Sequence, residues 1–297
     1  MIPIYYLFTM LTGSLFAIMI VVNGRLGIFI GLYLSCVVIH LVGLVGSSFI
    51  LTAKKQMPFK HPKVPLKLYS GGLFGIATVL LFNTAYGQIS VTALVALGLL
   101  GQAVSSLFVD QFGLFEMKKR PLNKKQIPGL FVAAFGIVLM LRGFTADSIL
   151  PVLLALLTGV TVVTSRTING ALGKRSTASL SAWYNHLVGL LGSLAVLAIL
   201  GFPGWIPSDH ISLSNAWIFT GGFLGVLAVT FSNFLIHHVS SYSMTLLLFV
   251  GQITGGVLLD VFLEGSFAPI QVLAGLIIVI GFSMNAYMTK PAVDTLV

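Results

Sequence analysis

GGLFGIATVLLFNTAYGQIS, residues 71–90, lies without a gap on GGFLGVLAVTFSNFLIHHVS, residues 221–240, and pairs Asn83 with Asn233. The same offset of 150 pairs Gly101-Gln102 with Gly251-Gln252, and Asp110 with Asp260. Earlier in each half the offset becomes 146. NGRLG at 23–27 then matches NGALG at 169–173, and HLVGLVGS at 40–47 matches HLVGLLGS at 186–193. Towards the two ends an offset near 145 pairs Gln126 with Gln271 and Gly136 with Gly281. The chain is thus a duplication, with a first unit over 1–146 and a second over 147–297.

Each unit is almost wholly apolar. Of 297 residues, 57% are hydrophobic and 8% charged, and the mean hydropathy is +1.04. A soluble domain carries about 25% charged residues, so this chain has too little polarity to cover a particle in water. The apolar runs are about 20 residues long, which points to membrane-spanning helices and not to the alternating strands of a barrel. Ten spans are expected, at 3–22, 29–51, 67–87, 91–111, 126–144, 148–168, 178–200, 215–236, 241–262 and 270–289. The first is read as a retained span, because MIPIYYLF lacks the basic start of a cleaved signal. Asn23 and Asn169, each followed by Gly, read as helix stops.

Five spans per unit is an odd number, so the second unit should cross the membrane in the opposite sense to the first. Fourteen of the sixteen Lys and Arg residues fall on one side under this arrangement, leaving only Arg25 and Arg142 opposite. The bias predicts a bacterial-type inner-membrane protein with both termini in the cytoplasm. It also accounts for the net charge of +9 through basic loops beside anionic lipid, with no nucleic-acid partner. The single cysteine, Cys36, excludes an internal disulfide.

Ten helices in two inverted five-helix units resemble the drug/metabolite transporter superfamily. The pattern Gly101-Gln102 with Val109-Asp110-Gln111-Phe112, and Gly251-Gln252 with Leu259-Asp260-Val261-Phe262, resembles its YdcZ-type branch. Asn23-Gly24, Leu41-Val42-Gly43 and the glycine-rich fifth helices fit as well. The resemblance implies a transporter of small solutes. The first helix offers Ser14 and no acid, so the glutamate-based proton and cation site of the small multidrug exporters does not carry over.

Polar groups within hydrocarbon need a partner or a wet cavity. Gln102 and Gln252 stand near the centres of the fourth and ninth spans and are candidates to bind substrate, together with Asn83 and Asn233. The alternative for a glutamine is interhelical glue. Asp110 and Asp260 follow eight residues on, about 12 Å along the axis, near opposite faces. They read either as gating or proton-linked carboxylates or as interfacial acids that cap loop donors. His40 and His186 occupy matching positions and are candidates for proton relay or structural hydrogen bonding. Arg166 has no basic counterpart, its partner position being Ile20. It is read as a snorkelling residue or as a partner for an acidic substrate or for Asp110. Small residues at Gly101/Ser105 and Gly251/Gly255 predict close helix packing, which would draw the fourth and ninth spans, and their glutamines, together.

No cofactor or metal is expected, since His237 and His238 lack acidic or cysteine companions. GALGKRST at 170–177 has the wrong spacing for a phosphate-binding loop, which excludes an ATP-driven pump within this chain. The reading that results is not an enzyme. It is a secondary transporter, an exporter of small polar or amphipathic molecules by alternating access, with protons a candidate coupling ion. It would work among membrane lipids as a monomer or homodimer. The competing reading is a translocator or scaffold for a lipid or lipid-linked precursor.

Overall fold

The computed structural model describes residues 2–60, 63–114, 119, 124–142, 144–201, 213–235, 241–265 and 269–288. It contains ten α-helices: α1 (Ile2–Ile30), α2 (Leu32–Ala53), α3 (Gly71–Ala85), α4 (Val91–Phe112), α5 (Ile127–Met140), α6 (Ile149–Arg175), α7 (Ala178–Leu200), α8 (Gly221–Leu235), α9 (Ser241–Glu264) and α10 (Pro269–Met288). Short 3-10 turns lead into α3 and α8. By length and hydropathy seven helical segments are long enough to cross a bilayer, while 127–140, 247–263 and 269–281 are apolar but shorter among the described residues. Large apolar side chains lie exposed around the perimeter, including Phe49, Phe131, Phe135, Ile199 and Phe262. A ring of this kind suits hydrocarbon, not water.

The helix stops expected at Asn23-Gly24 and Asn169-Gly170 do not occur. The first helix runs on to Ile30 and breaks at Gly31 with φ +86°, a backbone that only glycine adopts freely. The sixth runs on to Arg175, and Thr177 then caps α7 by accepting from the Leu180 amide at 3.1 Å. The reason lies in packing. Asn23 is pressed against Gly221 and Asn169 against Gly71; a Cβ on those glycines would stand 1.8 and 2.1 Å from the respective asparagine oxygens. Each asparagine is therefore used sideways, against the start of α8 or α3, and not to end its own helix.

Helix pairing repeats across the two halves. The first helix of each unit packs on the third and fourth of the other: α1 lies on α8 and α9, and α6 lies on α3 and α4. The pairs α2·α7, α4·α9 and α5·α10 join equivalents. Glycines make these approaches close. Gly101 of α4 meets the backbone of Leu156 and Gly159 in α6, and Gly251 of α9 meets Met10 and Gly13 in α1. The small-residue faces thus serve α4 with α6 and α9 with α1. They do not draw α4 onto α9, which meet instead where Gly256 approaches Thr92. At α5·α10, Gly136 faces Ile278 and Gly281 faces Ala133.

Candidate functional site

Asp260 ends up at a helix start. One carboxylate oxygen accepts from the Val91 amide at 2.7 Å, and the other from the Thr92 amide at 2.8 Å and the Thr92 hydroxyl at 2.6 Å. Ser90 accepts from the Ala93 amide and donates to Gln271 of α10. Three of the four orphan N–H groups of α4 are thereby satisfied, and the carboxylate faces the positive end of the helix. The side chains of Asp110 and Asn233 lie outside the described residues, as do His237, His238, Lys118, Arg120 and Lys290.

Asn83 is buried and donates to Ser35 of α2 at 3.2 Å. It also packs against Gly27 of α1, so it ties three helices. His40 and His186 face one another across α2 and α7, with ring centroids 5.9 Å apart. Each imidazole lies on the other helix's glycine: a Cβ on Gly43 would stand 2.3 Å from His186, and one on Gly189 would stand 2.4 Å from His40. Both nitrogens of His40 and the Nδ1 of His186 have no hydrogen-bond partner.

The densest polarity is on α6. Thr161 shares a hydrogen bond with Thr78 of α3 at 2.8 Å. Ser165 donates to the Gly71 carbonyl of α3 at 2.9 Å, and Asn169 donates to Asn185 of α7 at 2.8 Å. Sequence comparison alone missed Asn185, because its counterpart is the apolar Ile39. Arg166 stands one position from Ser165. Its side chain is exposed. Gly170, one turn further, has nothing within 4 Å of where a Cβ would stand.

Gln102 and Gln252 are both half-buried. Each stands directly after the glycine at its helix crossing, Gln102 beside α6 and Gln252 beside α1. Arg166 lies seven residues beyond Gly159, about 20° short of two turns, so Arg166 and the Gln102 crossing share one side of α6. A shallow apolar groove along α5, lined by Phe135, Val138, Leu139, Leu141 and Arg142, contains none of the candidate residues.

A profile of the family described as "Putative inner membrane exporter, YdcZ" matches residues 4–139 and again 150–284. The chain belongs to this family. The two matched segments are two copies of the YdcZ unit, joined head to tail in one multi-pass membrane protein. The family is one of transporters, not enzymes. No curated protein matches the chain. A solved structure, described only as a crystal structure of a protein, is similar with a TM-score of 0.62 at 13% identity, over 98% of this YdcZ-type chain and 99% of that one. At that identity the likeness is one of fold.

Proposed function

We propose that the chain is a secondary transporter that exports small polar or amphipathic solutes by alternating access. Its two units would cross the membrane in opposite senses, with both termini cytoplasmic and the solute held between them. The observation that carries this reading is the exporter-family match over both halves of a chain whose halves interlock, with Arg166 exposed on a membrane-length helix. The intertwining of the halves supports it: if they are inverted, exchanging their conformations converts an inward-open form into an outward-open one. Gln102 is the amide assigned to solute. Gln252 sits at the equivalent crossing and serves the same role from the other half. Among the described residues, Asp260 is held by three donors, so any proton coupling is assigned to the His40–His186 pair, in which both nitrogens of His40 and the Nδ1 of His186 lack partners.

Purified chain reconstituted in liposomes, given a panel of anionic, neutral and cationic metabolites with an internal pH dye, tests the reading. Saturable uptake and counterflow of at least one member are expected. Gln102→Ala should raise the half-saturation concentration about 10-fold, the worth of one hydrogen bond to solute. Liposomes that move no panel member, yet transfer labelled lipid between leaflets, would overturn it in favour of a lipid translocator.

A further inference from the structure

We infer that the solute carries an oxyanion, a carboxylate or a phosphate, and that Arg166 binds it on the α6 face shared with Gln102. This rests on the transporter reading and specifies its substrate class. The charge of Arg166 is not met by protein. It has no hydrogen bond or ion pair among the described residues. Asp260 is committed to the start of α4. Asp147 precedes Arg166 by nineteen residues on the same helix and its lead-in turn, about 28 Å along the axis.

Gly98 and Gly101 of α4 meet Ala155, Leu156 and Gly159 of α6 in rising order, so the two helices run parallel. Snorkelling is opposed by direction. Helical side chains lean towards their own N-terminus, which aims Arg166 away from Arg175 and towards the Gln102 crossing. A guanidinium left unpaired inside a span is costly, and a bound anion removes that cost.

The site is one-sided. Thr161, Thr164, Ser165, Arg166 and Thr167 of α6 have as counterparts Leu15, Ile18, Met19, Ile20 and Val21 of α1, and Ile20 is buried. At these five positions the duplicated frame is polar on α6 and apolar on α1. Thr161 and Ser165 are used in packing against α3, and Thr164 and Thr167 bond within α6, which leaves Arg166 as the member of this set without a partner among the described residues. A second donor stands on the neighbouring helix: the Asn185 amide nitrogen has no partner among the described residues, its oxygen being occupied by Asn169 and Ser165. The planar fork of an arginine suits a two-oxygen anion.

The test uses Gly170→Cys in a Cys36→Ala background, with a small maleimide as probe. Acetate, lactate, glutamate, inorganic phosphate and glycerol phosphate are each compared with chloride and with lactamide or glycerol. At least one oxyanion should slow labelling of position 170 by about 10-fold, and the neutral partners should not. In liposomes, Arg166→Gln should lower flux of the protecting anion about 10- to 100-fold, with Arg166→Lys intermediate because it keeps charge but not the fork. Protection that depends only on phosphatidylglycerol, and is absent in phosphatidylcholine, would assign Arg166 to a lipid headgroup and overturn the solute anion. Flux of neutral or cationic solutes alone, or anion flux unchanged in Arg166→Gln, would overturn the inference while leaving the transporter reading intact. Should Arg166→Gln fail to fold, the labelling experiment on the native arginine decides alone: absence of anion protection sinks the proposal.

Discussion

Asp260 carries a charge into an apolar run because a helix start elsewhere in the chain requires it. Its oxygens replace the hydration that the Val91 and Thr92 amides would lose inside the bundle, and the buried acid is compensated by three donors. Asp260→Ala should therefore lower stability by about 3 kcal/mol, read as a fall in the thermal midpoint of the detergent-solubilised protein. Asp260→Asn, which keeps an acceptor but loses the charge, should fall about half as far. The folded fraction of Asp260→Asn should still transport at the native rate per molecule in liposomes. Loss of flux without loss of stability would instead make Asp260 a proton carrier. Sequence reading found this residue by its repeat and its depth, and stopped at two alternatives. The partner that separates them lies 168 residues away, and no local pattern encodes that contact. Arg166 was legible for the opposite reason: the repeat marks it as the position where symmetry fails.

At the scale of elements, the HLVG motif of α2 and α7 works as a reciprocal pair of knobs and holes. His40 fills the space over Gly189, and His186 fills the space over Gly43. Sequence alignment paired the two histidines, yet it left their role open, because matching positions in two units say nothing about whether they meet. The structure brings them together at the contact between α2 and α7. The same limit explains the misplaced helix stops. Asn-Gly commonly ends a helix, but here Asn23 and Asn169 are held by glycine-glycine helix starts on α8 and α3, and tertiary packing overrides the local signal. Gly43→Ala or Gly189→Ala puts a methyl group where an imidazole stands. Each should destabilise the protein by about 1–3 kcal/mol, the usual effect of overpacking. Replacing the facing histidine as well, in His186→Ala with Gly43→Ala, should recover part of the loss in thermal unfolding. An additive loss in the double variant would show that the two residues do not meet in the folded protein.

For the whole molecule, the helical class and the duplication were readable from composition and offset, and so were ten helices, although α5 is shorter than expected at 127–140. What could not be read is how the units interlock, because helix exchange between halves depends on contacts far apart in the chain, such as Gly101 with Leu156 and Gly251 with Met10. That α1 packs on α8 and α9 while α6 packs on α3 and α4 means that neither half encloses its own core. Such interlocking fits two units inserted in opposite senses. Insertion topology is open to direct measurement, because Cys36 is the single cysteine and it is buried. In a Cys36→Ala background, single cysteines at exposed positions report the side on which each connection lies. Lys60→Cys, after α2, and Lys119→Cys, after α4, are expected to react with a membrane-impermeant maleimide only when the cytoplasmic face is opened. Thr145→Cys, after α5, and Gly265→Cys, after α9, are expected to react in intact cells. Thr145→Cys is the decisive member. If it is shielded in intact cells together with Lys119→Cys, the fifth helix does not cross. The units would then be parallel, and a mechanism built on exchanging inverted halves would fail.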